Sequence, residues 1–363
     1  MILITRLDRY VGRTIMQSTL LVLSILVALF AFFSFVAAVD DYGKGRFGLY
    51  EVVKYVVLTI PGWIYALFPI AALLGSILGL SWLTSGSEIT AMRAAGVSLS
   101  RLVGSVMKIG LVWVAVGILI GETVVPVSET GAQRNRAEAL EIGLHSENMG
   151  LWLREGDSFV NIGEVLPDHS LLRVTIYRFD KDVRLRDNIT AARARYRGHE
   201  AGSGEPYWEL EDVTSSWLGR HGVRTRKAAR YIWRASLTPD VVDVFTIRPE
   251  ALSSWQLYRY IDHLRRNHQR TDRYRLAFWN KLLLPLATAV MVLLAVPFVI
   301  GQDRSGGMGK KILLGIMLAL AFVVLSQAFG HYAVLMGLPP LLGASAPILL
   351  FLALAIYLLR RAA

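Results

Sequence analysis

The sequence predicts a polytopic membrane bundle of six transmembrane α-helices, interrupted between the third and fourth by an inserted antiparallel β-domain. Three observations carry that prediction. Long stretches lack any formal charge, basic residues gather on alternate flanks of those stretches, and one internal segment joins high charge to two-residue alternation. The bulk figures agree: 363 residues, 54% hydrophobic and 18% charged, with a mean hydropathy of +0.44, against about 25% charged in an ordinary soluble domain. With no cysteine, disulfide scaffolds, cysteine-ligated zinc, iron–sulfur clusters and thiol catalysis are excluded.

The first span is Thr14–Val39, 26 residues without Asp, Glu, Lys or Arg. Arg6, Arg9 and Arg13 precede it as they would in a signal peptide, but 26 residues overshoot the roughly 7–15 of a cleavable apolar region, so a retained anchor is expected. The second is Tyr55–Ser87, 33 uncharged residues that include Pro61 and Pro69. The third, about Leu102–Val125, tolerates Lys108 and Glu122 near its ends, where long side chains snorkel. The fourth is Leu282–Gln302, 21 residues; the 48 of Ile312–Leu359 hold two more, divided at Gly337-Leu338-Pro339-Pro340. A bilayer core of about 30 Å takes roughly 20 apolar residues per crossing, which fits each.

Orientation follows from the short flanks. One side collects Arg6, Arg9, Arg13, Arg93, Arg101, Lys108, Arg304, Lys310, Lys311, Arg360 and Arg361 against Asp8, Glu88 and Asp303, while Lys44, Arg46 and Lys54 balance Asp40, Asp41 and Glu51 on the other. Both termini are therefore expected to be cytoplasmic. The segment Pro126–Leu276 holds 24 basic and 21 acidic residues, a net +3, so +8 of the chain's +11 is topology. No basic stripe with interleaved aromatics remains, and a nucleic-acid partner is excluded.

Within that segment Leu172, Val174 and Ile176 alternate with Arg173, Thr175 and Tyr177, and Tyr231, Trp233, Ala235 and Leu237 do the same. Such alternation marks half-buried strands. Further short runs at Ser158–Val165 and Tyr207–Val213, with turn signals at Pro167-Asp168 and Gly202-Ser203-Gly204, argue for a sandwich or jelly roll. A helix then returns to the membrane with Leu257, Tyr260, Ile261 and Leu264 on one face. The expected domains are 1–126 with spans one to three, 127–250 for the β-domain, 251–276 for the connecting helix and 277–363 with spans four to six.

Candidate chemistry is sparse. Gly306-Gly307-Met308-Gly309-Lys310-Lys311 fails as a phosphate loop, with Arg304 in place of the first glycine and no Ser or Thr after the lysine. The seven histidines show no metal-ligand spacing, so neither a metal site nor a catalytic constellation is expected. Ala71, Gly75 and Gly79, spaced by four, allow close helix approach, either inside this chain or between subunits. Between the second and third spans, Ser85–Ser98 contains a short helix from Glu88 to Gly96, within a coupling segment at about 86–97. With Glu88 and Arg93 beside exposed Ile89 and Met92, it suits docking into a partner, as an ABC permease receives motion from its ATPase.

From end to end the chain resembles the YjgP/YjgQ permeases, the LptF/LptG family of the lipopolysaccharide exporter, and its LptG branch most closely. The resemblance is carried by Leu7-Asp-Arg-Tyr-Val-Gly-Arg-Thr14, Phe68-Pro-Ile-Ala-Ala-Leu-Leu-Gly75, Ser87-Glu88 with Ala95-Gly96, Tyr274, Lys281, Pro285-Leu286, and Gly337-Leu-Pro-Pro340. It implies a multi-pass protein of the bacterial inner membrane whose β-domain is a periplasmic jelly roll. It also implies an LptF permease partner, a cytoplasmic LptB ATPase dimer that binds ATP and Mg²⁺ (no cofactor in this chain), the single-span LptC, and periplasmic LptA joined edge to edge through the β-domain. Unpaired sheet edges template such joining. The substrate implied is lipopolysaccharide, taken from the outer leaflet.

The family's basic residues along the outer half of the first span correspond here to Ser34, Asp40 and Asp41; Lys44 and Arg46 are the candidates to take their place. Arg134 and Arg136 match the family's other basic pair, and guanidinium forks suit glucosamine phosphates. Phe32 and Phe68 complete the expected substrate contacts, and Glu88 carries over as the coupling residue. A transport subunit without chemistry of its own is the expectation. A membrane-anchored interaction module is the alternative, and a lipid-modifying enzyme lacks a nucleophile–base or metal constellation.

Overall fold

The computed structural model describes residues 6–140, 151–155, 158–166, 170–180, 184–199, 206–219, 222–235, 237–239, 249–267, 269–300 and 307–362. The turn signals Pro167-Asp168 and Gly202-Ser203-Gly204, and Arg304, lie outside them. The chain divides into two compact units. One comprises Met1–Ala37, Val56–Glu129 and Asp272–Ala363; the other comprises Ala38–Tyr55 and Thr130–Thr271. The segment between the first two spans therefore groups with the insertion.

Among the described residues, six helical stretches, mostly within the first unit, are long and apolar enough to cross a membrane. They are α1 (Arg6–Val39), α2 (Leu49–Ser85), the third span formed by α4 (Leu99–Leu119) and α5 (Val125–Ala139), then α7 (Asp272–Ile300), α8 (Met308–Leu335) and α9 (Pro340–Ala362), with the short α3 (Glu88–Ala94) on the link between α2 and α4. Each extends beyond the expected span at one end at least. Charge-free runs mark the crossing of hydrocarbon, whereas the helix continues through flanking Arg, Lys and Glu, which are good helix formers. Pro61, Pro69, Pro285, Pro297 and Pro347 sit inside helices, as spans tolerate when neighbouring groups re-satisfy the backbone.

Two glycines end helices by turning left-handed. Gly96 (φ +90) follows α3, with Val97 N–H donating to the Met92 carbonyl at 3.0 Å, and Gly337 (φ +65) follows α8, with Leu338 N–H donating to the Ala333 carbonyl at 2.9 Å. Both are Schellman closures, and the second is the Gly-Leu-Pro-Pro break between the last two spans. The Ser98 side chain caps α4 by accepting from Arg101 N–H at 3.3 Å. The core of this unit is apolar, with Val11, Ile15, Leu73, Ile77, Val106 and Val292 inaccessible to solvent. α2 and α7 are its central helices, with 67% of their most apolar windows buried, against 6% for α1 and 17% for α8.

In the second unit, β1 (Leu151–Glu155), β2 (Ser158–Val165), β3 (Leu171–Phe179), β4 (Leu185–His199), β5 (Pro206–Gly219) and β6 (Gly222–Arg234) form one antiparallel sheet. Its order is sequential, each strand pairing with the next. Rows of opposed residues build the apolar face: Leu153, Val160, Ile176 and Ile189 in one, and Ile162, Val174, Ala191 and Val213 in the next, all buried. The other side pairs its own charges, Arg195 with Glu211 at 3.1 Å and Glu209 with Arg197 at 2.7 Å and Arg230 at 3.2 Å. One detail departs from simple alternation. Arg173 has φ +51, which interrupts the pleat, so Leu171 rather than Leu172 points inward with Val174.

The connecting helix is α6 (Ser254–Arg266), opened by a Ser253–Gln256 capping box. It buries Leu257, Tyr260, His263 and Leu264, three of the four residues expected on that face; Ile261 is only half-buried, and His263 lies inward instead.

Candidate functional site

Two groups hold most of the candidate residues, one formed by the loop after α1 with the last turn of α5 and one at the link carrying α3. In the first, the loop after α1 carries Asp41 and Lys44, and the last turn of α5 carries Arg136. Lys44 Nζ donates to Asp41 Oδ1 at 2.8 Å, and Arg136 Nη2 donates to the other oxygen, Oδ2. The guanidinium also lies over the Tyr55 ring, 5.2 Å from its centroid. Lys54 Nζ donates to Asn135 Oδ1 at 2.9 Å, and Arg46 N–H donates to the Ala139 carbonyl at 2.7 Å. The loop is thus tied to α5 by backbone and side chains together. Hydrogen bonds from Lys44 and then Arg136 hold the Asp41 carboxyl below the usual carboxylate range, against an opposing contribution from burial.

Of the four basic residues expected to meet substrate, the structure brings Lys44 and Arg136 together and leaves the other two apart. Arg46 and Arg134 are exposed. Arg134 cannot join its neighbour because residues two apart on a helix face different ways. Phe32 is 60% exposed on α1, with Phe33 beside it at 6.2 Å between centroids, as a lipid contact requires. Phe68 does not keep its expected role. It is only 3% exposed, packed edge-on against Trp113 at 5.3 Å, because α2 is a central helix and this face turns toward α4.

At the link, α3 forms where its spacing predicted, but its apolar residues are not its outward face. Ile89 is 4% exposed and belongs to the bundle core, and Met92 packs against that core. Seven residues make two turns, and the apolar pair three apart must anchor them. The outward face is Thr90, Ala91, Arg93 and Ala94, next to Trp82, a tryptophan 58% exposed at the end of α2. The Glu88 carboxylate interacts with the Tyr10 hydroxyl of α1, so the residue expected to couple touches the first span.

Ala71, Gly75 and Gly79 serve packing inside this chain. A Cβ on Gly79 would stand 3.1 Å from Ile15 Cα, and Gly75 is closer still to Thr19. The reading as an interface between subunits gives way to an α1–α2 seam.

Two polar groups inside the spans escaped the sequence reading. Asp8, counted there only as a flank charge, is 4% exposed; Lys108 Nζ donates to it at 2.6 Å, Ser105 Oγ at 2.5 Å and Arg101 Nη2 at 3.2 Å. Its one legible signal was a lone acid among arginines. Lys281 is buried in α7, its ammonium 5.7 Å from the Tyr65 ring centroid, while Tyr65 Oη donates to the Lys281 carbonyl at 2.9 Å. The ring presses on Gly121, within a π-helical turn at Ile120–Val124 that joins α4 to α5. Among the described residues, no three His, Asp or Glu side chains gather as a metal ion would require.

Residues 9–361 match a family model described as lipopolysaccharide export system permease LptF/LptG. The lipopolysaccharide export system permease protein LptG of Escherichia coli K12 is 35% identical over 357 residues, 98% of each chain. The protein of the same description from Haemophilus influenzae is 36% identical over 360 residues, 99% of each.

Proposed function

The chain belongs to the lipopolysaccharide export system permease family LptF/LptG, and from that premise we propose that it is the LptG-type subunit of an ABC exporter in the bacterial inner membrane. It is a multi-pass transport subunit, not an enzyme. Lipopolysaccharide is extracted from the outer leaflet and passed to a bridge of periplasmic β-domains, of which the inserted sheet is the first. LptF is the second permease, an LptB dimer supplies ATP hydrolysis and binds the nucleotide and Mg²⁺, and LptC and LptA continue the bridge. Both termini and α3 lie on the cytoplasmic side.

The observation that carries this reading is a likeness that covers spans and insertion alike, 98% of the chain. A module that merely held its β-domain at the membrane would need neither a patterned cytoplasmic link nor likeness throughout the bundle. In mechanism, closure of the ATPase dimer moves α3, which sits on the core through Ile89 and Met92 and on α1 through Glu88. Phosphates of the lipid meet Lys44 and Arg136.

The test is ATP-driven transfer of lipopolysaccharide from proteoliposomes holding this chain with LptF, LptB and LptC. Glu88→Ala is expected to lower transfer at least tenfold while the complex still assembles. Wild-type transfer by that variant would reject the coupling role, and failure to co-purify with an ATPase would reject the exporter reading itself.

A further inference from the structure

The two cations of this group already share an anion. Each is engaged by one oxygen of a single carboxylate, Lys44 by Oδ1 and Arg136 by Oδ2 of Asp41. The Asp41 side chain is only 17% exposed, whereas those of Lys44 and Arg136 are 63% and 34% exposed. The acid is therefore held inside while both bases still reach solvent. Arg136 keeps its second attachment, the face of Tyr55, so releasing Asp41 would not release the guanidinium. Two convergent donors with one bound two-oxygen anion is also the geometry a phosphate oxygen pair would find there.

We propose that Asp41 is a specificity residue of this site: it engages Lys44 and Arg136 while the site is empty, and a lipid phosphate competes with it for both cations. The proposal rests on the reading of Lys44 and Arg136 as phosphate contacts given above. Its consequence is a charge threshold. A phosphate monoester carries about −1.5 to −2 at neutral pH. Exchanging a carboxylate of −1 for such a group gains attraction to both cations. A phosphodiester carries −1, so the same exchange gains almost nothing to offset the desolvation that either phosphate pays. Asp41 thus admits glycolipids bearing phosphate monoesters and turns away the abundant diester lipids of the same leaflet.

The experiment measures equilibrium binding of bisphosphorylated lipid A and of phosphatidylglycerol to the detergent-purified exporter complex. The variants are Asp41→Asn, Asp41→Glu, Arg136→Gln, Lys44→Gln and the pair Asp41→Asn with Arg136→Gln. Thermal unfolding of each complex confirms that it is folded. Asp41→Asn is expected to tighten phosphatidylglycerol binding by about three- to tenfold, the range of two partly exposed ion pairs, and to tighten lipid A less. The ratio between the two lipids falls accordingly. Asp41→Glu should keep the wild-type ratio, and the added Arg136→Gln should remove the gain. If Asp41→Asn leaves phosphatidylglycerol binding unchanged or weaker while Arg136→Gln still weakens lipid A binding, the displacement role is wrong and the phosphate contacts stand. If neither Arg136→Gln nor Lys44→Gln alters lipid A binding, the phosphate contacts are wrong and the specificity role falls with them.

Discussion

Gly75 lies so near Thr19 that a Cβ added to it would stand 2.3 Å from the Thr19 Cα. The approach is backbone to backbone, so no rotamer change relieves it. The most apolar stretch of α1 is little buried, and this seam with α2 is one of the helix's attachments. Without a hydrophobic drive between helices in lipid, close packing of small residues is what holds them. Gly75→Leu is therefore expected to detach α1, and Gly75→Ala to cost about 1–3 kcal/mol through forced separation. The unfolding midpoint of the purified chain in mild detergent measures both. An Ala variant as stable as wild type would show that the seam yields freely.

Asp8 fastens the start of α1 to α4. Three donors converge on its buried carboxylate, and Lys108 is the nearest charge. Asp8→Asn keeps the shape but leaves Lys108 and Arg101 facing each other with no anion between them. The expected loss is about 1–3 kcal/mol, less than for a fully buried pair because both bases reach solvent. A double-mutant cycle with Lys108→Met should show coupling of about 1 kcal/mol or more. Strict additivity would mean that the pair contributes nothing specific.

How much of this was legible depends on whether a signal is local. Charge-free runs and the bias of basic flanks are local, so all six spans could be read from them, as could the glycine that closes α3. Sidedness within a span is not local. Phe32 and Phe68 are equally apolar, and since lipid and protein core reward the same side chains, only the packing of α2 against α4 separates them. The same ambiguity hid Ile89 and Met92, whose neighbours lie in other helices. Alternation in β3 failed at Leu172 because one residue, Arg173, leaves the extended conformation. Asp41 read as the loss of a basic residue; its role emerges only when Arg136, 95 positions away, closes on it.

Trp208 is the largest side chain wholly buried in the sheet, with its Nε1 donating to the Leu237 carbonyl at 2.8 Å and its ring 5.3 Å from that of Tyr196. Trp208→Ala removes the ring and the donor together, at an expected cost of about 3–5 kcal/mol. Trp208→Phe keeps most of the volume and leaves the Leu237 carbonyl without that donor, at about 1–3 kcal/mol. Limited proteolysis of the full chain should cut within 206–239 first in the Ala variant. Equal resistance in both variants would show that neither the ring nor its hydrogen bond limits stability there.

His263 gives the inserted unit a pH dependence with a definite sign. The ring is buried in α6 against Tyr260, and the Asn267 amide nitrogen lies 3.3 Å from its Nε2 while also donating to the His263 carbonyl at 3.1 Å. With that nitrogen as donor, Nε2 accepts, which requires the neutral ring. Burial pushes the imidazole below its ordinary 6.5, Glu155 opposes this by favouring the charged form, and Arg266 and Asp262 act in opposite directions. The unfolded chain therefore takes up a proton near pH 6.5 that the folded one refuses until lower pH. Stability is full above 6.5, falls as pH drops through that value, and levels off below the folded-state pKa. Unfolding midpoints between pH 7.5 and 5 should thus fall less in His263→Gln than in wild type. Glu155→Gln, which removes the carboxylate that eases protonation, should steepen the fall. An unchanged slope in His263→Gln would assign the acid sensitivity to other groups.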